Sequence, residues 1–151
     1  MFTKLFNKHE KKKYEFQYCY ISIVLEDGWV EYVDKDKEKY GLPLSFFKEE
    51  NGVGALQVSV TTSKDEKELD INKVFKKDEQ SSFDVKKYKL KEWIIYEYEK
   101  NENERFLKSF YLVNPHVIVY ATYNCGLENR NEKELNEAIK IVKTIDVISK
   151  N

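Results

Sequence analysis

From Arg105 to Ile148 the chain alternates apolar and polar residues with period two, then switches to helical spacing. RFLKSFYLV, an Asn114-Pro115 break and VIVYATYNC read as two strands, since proline cannot donate to a ladder. With Trp93 to Tyr98 before them, joined through Asn101 to Glu104, they make an antiparallel meander. Val117, Val119, Ala121 and Tyr123 oppose Ile118, Tyr120 and Thr122. Both faces of that strand are apolar enough to need cover. A helix runs from Asn131 toward Ile148, with Leu135, Ala138, Ile139, Val142 and Ile145 as one stripe at i, i+3, i+4 spacing. Asn131 and Glu134 make a capping-box-like start, Glu132 suits the positive end of the helix dipole, and Lys140 and Lys143 lie nearer the other end.

Upstream, Tyr14 to Leu25 alternates with apolar residues on both faces and predicts one strand covered on two sides, ended by Glu26-Asp27-Gly28. Trp29 to Val33 is a short apolar patch, and the charged run Asp34 to Lys39 is a solvated connection. Leu44 to Phe47 and Gly54 to Thr62 flank Glu49-Glu50-Asn51-Gly52, a hairpin signal because Asn-Gly tolerates positive φ. Leu69, Ile71, Val74 and Phe75 predict a short helix within Lys64 to Glu79, capped by Asp70. Two-sided strands with helices to cover them point to an α+β fold, an antiparallel sheet flanked by helices on both faces in an α/β/α sandwich. The expected organisation is a basic, mobile segment at 1–13 and a single domain at 14–151.

Composition narrows the function. With 151 residues the chain buries roughly 68–70% of its unfolded surface and needs no metal or disulfide to fold. Lys and Arg (26) nearly cancel Asp and Glu (27), so no basic footprint for nucleic acid exists. No stretch approaches the roughly 20 apolar residues of a spanning helix. Met1, Phe2, Leu5 and Phe6 beside Lys4, Lys8, Lys11, Lys12 and Lys13 could touch a membrane surface. The expectation is a cytoplasmic protein in which Cys19 and Cys125 are buried, reduced thiols.

No catalytic set emerges. His9 and His116 are the two histidines, and a shared strand would hold His116 and Cys125 roughly 30 Å apart. Two histidines and two scattered cysteines offer no zinc pattern. Asp34-x-Asp36-x-Glu38 lacks the glycine and the final glutamate of a calcium loop, with Lys39 and Ser45 in their places. Asn51-Gly52-Val53-Gly54 lacks the Lys and Ser/Thr of a phosphate cradle. Glu97, Glu99, Glu102 and Glu104 read as outward-facing acids on strand and turn. The expectation is no enzyme and no cofactor. What is left is recognition: Trp29, Tyr32 and Tyr40 sit in irregular, charged text and are residue types common at binding hot spots.

Particular phrases resemble the Mog1/PsbP-like domains: ISIVLEDGW (Ile21 to Trp29), GALQVSV (Gly54 to Val60), the VIVYATY strand and the ELNEAIKIVKTI helix. The resemblance spans about Tyr14 to Ile148, although Asp27 stands where that family usually has proline before Gly-Trp. It points to a bacterial branch of a superfamily that includes Ran-binding Mog1 and photosystem-associated PsbP. It implies the fold and a bias toward binding over catalysis, and it carries no residue role. The function expected is an interaction domain with a protein partner, of accessory or immunity type. The alternative is a small-ligand binder or enzyme with a pocket near Trp29 to Tyr40.

Overall fold

The computed structural model describes residues 9–33, 43–63 and 84–150. Tyr40, the 64–79 helix with its Asp70 cap, the Asp34 to Glu38 run and the first eight residues lie outside them. The first hairpin pairs β1 (Lys11–Glu15) with β2 (Cys19–Val24), Glu15 opposite Tyr20. The text from Tyr14 to Leu25 is therefore not one strand. The chain reverses at 16–18, where the Phe16 N–H donates to the Cys19 carbonyl at 2.8 Å, and the first strand begins at Lys11 inside the segment assigned to the N-terminal tail.

Next come β3 (Trp29–Tyr32), β4 (Leu44–Lys48) and β5 (Gly54–Thr62), with Asn51 at φ 58° in the β4–β5 turn as its sequence required. Then come β6 (Lys86–Leu90), β7 (Trp93–Glu102), β8 (Arg105–Asn114) and β9 (Val117–Gly126). These seven strands form one antiparallel sheet in the order β3-β4-β5-β9-β8-β7-β6. The β7–β8 link is the two-residue turn Asn103-Glu104, both at positive φ, the geometry that matches strand twist. At the β8–β9 turn the Asn114 side chain accepts from the N–H groups of His116 and Val117 at 3.0 Å, which holds the exposed His116 at the tip.

Helix α1 (Glu132–Lys143) starts as its sequence indicated: the Asn131 side chain accepts from the Glu134 N–H at 3.0 Å. Its buried stripe is Leu135, Ala138, Ile141 and Val142, with Ile139 half-buried. The helix stops at Lys143, short of Ile148. Thr144 Oγ1 donates to the Ile141 carbonyl at 2.6 Å and accepts from the Val24 N–H at 2.9 Å, which ties the end of the helix to β2. The chain then extends as β10 (Asp146–Ser149), antiparallel to β2, where β-branched Val147 and Ile148 suit a pleated surface. A second, three-stranded sheet results, in the order β1-β2-β10.

Helices on both faces are thus overturned. The architecture is mostly β, two antiparallel sheets with one α-helix among the described residues. That helix and the small sheet pack on the same face of the large sheet. Ile21 and Ile23 of β2, Leu135, Ile141 and Val142, and Phe46, Leu56, Ile95, Phe110 and Val119 share one core. The opposite face carries a second cluster of Tyr98, Tyr111 and Ile118 with Val85, Tyr96, Val113 and Tyr120. No helix among the described residues covers it. The apolar pattern of β9 correctly reported burial on two sides (Val117, Ile118, Val119, Ala121 and Thr122 are all buried). Periodicity records that a face is covered, not what kind of layer covers it.

Candidate functional site

Trp29 and Tyr32, three residues apart on a strand, point to opposite faces. Trp29 is 3% exposed, and its indole Nε1 donates to Glu137 Oε1 at 3.2 Å. The Lys48 ammonium reaches the same oxygen at 2.9 Å. Burial raises the Glu137 carboxyl, but those two hydrogen bonds and the charges of Lys48 and Lys133 leave it below its ordinary value. Trp29 therefore clamps α1 onto β3 and β4 and offers no surface to a partner.

Tyr32 is 59% exposed and the adjoining Val33 67%. On the same outer face Val30 lies opposite Phe47, and both are half-buried. The structure thus separates the expected recognition residues. It leaves Val30, Tyr32 and Phe47 as an apolar, aromatic patch on β3 and β4, with the exposed Val33 just past the end of β3.

Two polar clusters escaped the sequence. In the first, the buried Glu134 accepts from the N–H groups of Val53 at 3.0 Å and Gly54 at 2.9 Å, and from the Tyr123 hydroxyl. Burial, the hydrogen bond to Glu134 and the charge of Glu134 hold the Tyr123 phenol far above its ordinary pKa. Gly54 is needed here because a Cβ would sit 2.5 Å from the Asn124 carbonyl oxygen and 2.6 Å from the Tyr123 hydroxyl. The helix start revealed Glu134 as a capping partner. That its carboxylate would cross to β5 depends on a contact 80 residues away in sequence.

The second cluster corrects the reading of Glu97 as an outward acid. Lys108 Nζ lies 2.8 Å from Glu97 Oε2, and the Tyr88 hydroxyl donates to Glu97 Oε1 at 2.7 Å. The side chains of Lys108 and Glu97 are 10% and 12% exposed. Lys108 falls between Phe106 and Phe110 on the inward-facing register of β8, and that spacing was the available signal. Both Glu97 oxygens are occupied by donors, and the phenol is pushed up by burial and by Glu97, so neither group acts as a free base. The cluster is an internal clamp between β6, β7 and β8.

Burial raises the Glu97 carboxyl, but hydrogen bonds from Lys108 and Tyr88 and the charges of Lys108 and Lys143 outweigh it, leaving a net depression. A depressed carboxyl stabilises the fold above its unfolded pKa, and that stabilisation is lost as pH falls through the folded value. Glu97→Gln should therefore flatten the fall of stability with pH below the ordinary glutamate range, measured by urea melts from neutral to acid. An unchanged slope would show that Glu97 gains nothing from its partners.

Among the described residues no group of three His, Cys, Asp or Glu side chains is placed to hold a metal ion. A cavity of about 340 Å³ opens beside β10, lined by Lys11, Ser22, Glu92, Trp93 and residues 146–148. It lies away from the Trp29 segment.

No protein-family model matches the chain, and no curated protein matches it in sequence. Solved structures do. LpqN, described as involved in cell envelope biogenesis of Mycobacterium tuberculosis, matches with a TM-score of 0.59 at 11% identity, covering 97% of this chain and 95% of its own. Cyanobacterial PsbP (CyanoP) from Synechocystis matches with a TM-score of 0.57 at 14% identity, covering 91% and 92%. A Bacteroides thetaiotaomicron protein matches at 0.56 and 12% identity; 87% of this chain covers 45% of that one, so the chain spans less than half its length. Identities this low show the fold alone, and that fold is Mog1/PsbP-like.

Proposed function

We propose that this Mog1/PsbP-like chain is a non-catalytic interaction domain that binds a protein partner through the outer surface of β3 and β4. The observation that carries the reading is the apolar patch of Val30, Tyr32 and Phe47, with the exposed Val33 beside it at the end of β3. Tyr32 and Val33 are the two most exposed of the large hydrophobic residues described, and exposed apolar groups gathered on one edge are characteristic of interaction surfaces. Tyrosine supplies contact area at low entropy cost. The inward clamps at Glu134, Glu137 and Glu97 support the same reading, since each spends its polar groups on holding layers together.

The test is affinity purification of the tagged chain against the double variant Tyr32→Ala/Val33→Ser. A stoichiometric partner that is retained by the parent and lost by the variant, with equal melting temperatures, is the expected result. A partner retained equally by both would remove this surface from the proposal. The partner returned decides between the accessory and the immunity-type form of the role.

Among the described residues no helix is long and apolar enough to cross a membrane. Two buried free thiols, Cys19 and Cys125, suit a reducing compartment and favour the cytoplasm. The cell-envelope setting of LpqN favours the opposite placement, and cell fractionation decides between them.

A further inference from the structure

Sheet edges expose unpaired backbone groups, and proteins blunt them with lysine, with inward charges or with short strands. Among the described residues the two sheets have four edges, and three of them are managed in that way. β1 carries Lys11, Lys12 and Lys13; β6 carries Lys86, Lys87 and Lys89; β3, four residues long like β10, also has Glu31 turned inward to accept from the Tyr14 hydroxyl at 2.8 Å. The fourth edge, β10, reads Asp146-Val147-Ile148-Ser149 and has no lysine within it. Ile148 is 42% exposed.

The hydrogen-bond phase of β10 determines which groups are free. The Lys150 N–H donates to the Tyr18 carbonyl at 3.4 Å, and Asp146 pairs with Ser22 and Ile148 with Tyr20. In an antiparallel ladder, bonding alternates residue by residue. Asp146, Ile148 and Lys150 therefore spend their backbone groups on β2, and Val147 and Ser149 direct theirs to the open side. At Ile145 the carbonyl is already taken by the Trp93 indole at 2.8 Å.

The geometry points to β10 as a homodimer contact that pairs antiparallel with β10 of a second copy and joins the two small sheets into one of six strands. A two-fold axis through Ile148 is the register that pairs the free groups of Val147 and Ser149 with one another. Val147 then exchanges both backbone hydrogen bonds with Ser149 of the second copy, and the reverse pair does the same. Ile148 meets its own copy on the outer face. Asp146 falls opposite Lys150 of the second copy, twice, so the segment is complementary to itself in charge as well as in shape. Within one copy Asp146 lies 3.0 Å from Lys91 and Lys150 lies 2.6 Å from Glu15, all partly exposed pairs with room for a further charge. A contact this small gives a weak dimer, with a dissociation constant on the order of 0.1 mM.

Cysteine cross-linking of the full chain tests the register, because Cys19 and Cys125 are buried and do not compete. Ile148→Cys places two sulfurs across a non-hydrogen-bonded pair about 4.5 Å apart at Cα, within disulfide range, whereas Ser149→Cys leaves them too far apart. Under mild oxidation Ile148→Cys should form covalent dimer at least about tenfold faster than Ser149→Cys. Sedimentation equilibrium of the parent should show a concentration-dependent dimer that Ile148→Lys weakens by about tenfold or more. Equal cross-linking of the two variants, or a parent that stays monomeric to about 1 mM, ten times the expected constant, overturns the assignment.

Discussion

Replacing Val142 with aspartate should unfold the protein or cost it roughly 4 kcal/mol or more. Val142 is buried on α1 in the same cluster as Ile21 and Ile23 of the small sheet and Leu56 and Val119 of the large one. An aspartate there loses the packing of the valine and must either ionise in an apolar site or take up a proton. For a domain of this size the loss corresponds to a fall in melting temperature of about 10 °C or more. Lys140→Asp, on the exposed side of the same helix, should change stability by only about 0.5 kcal/mol. If Val142→Asp melted like the parent, α1 would not be seated on the sheets as described.

The second large effect is expected at Glu134. Glu134→Ala removes the acceptor for two backbone N–H groups and one phenol in a site that is almost fully buried. An orphaned buried donor costs about 1–3 kcal/mol. Water that enters the vacated space recovers part of that, so a loss of about 3 kcal/mol is expected by chemical denaturation. The Tyr123 contribution can be isolated. In the Glu134→Ala background, Tyr123→Phe removes a hydroxyl that no longer has its acceptor, and should cost about 1 kcal/mol less than it does in the parent. Additive losses would mean that the phenol is satisfied elsewhere and that Glu134 holds only the start of β5.

Much of the fold is legible in local sequence. The meander β7–β8–β9, the Asn51-Gly52 hairpin, the Asn131 start of α1 and its stripe obey local rules, because turn residues and periodicity act over a few positions. The phrases that resemble Mog1/PsbP-like domains point to the right fold for the same reason, since they are strings of locally specified strands and one helix. The pattern misleads where two segments distant in sequence compete for the same residues. Tyr14 to Leu25 divides into β1 and β2 although its alternation continues, because a hairpin gives the central strand a partner on each side.

Ile145 continues the helical spacing of α1 and would fit a further turn. Only the bond between Thr144 and Val24, 120 residues away, and the open edge of β2 turn residues 146–149 into a strand. Glu97 reads as an outward-facing acid until pairing places it and Lys108 on the inward register beside Tyr88. Trp29 reads either as a core residue under the first strand or as a recognition residue until Glu137, from the far end of the chain, takes its indole N–H. The sequence alone determined the meander, the Asn51-Gly52 hairpin, the start of α1 and the two-sided cover of β9, because those are properties of neighbouring residues. The tertiary structure decided which layer does the covering, which charges turn inward and which edge stays open, because each depends on groups 11 to 120 positions apart meeting in space.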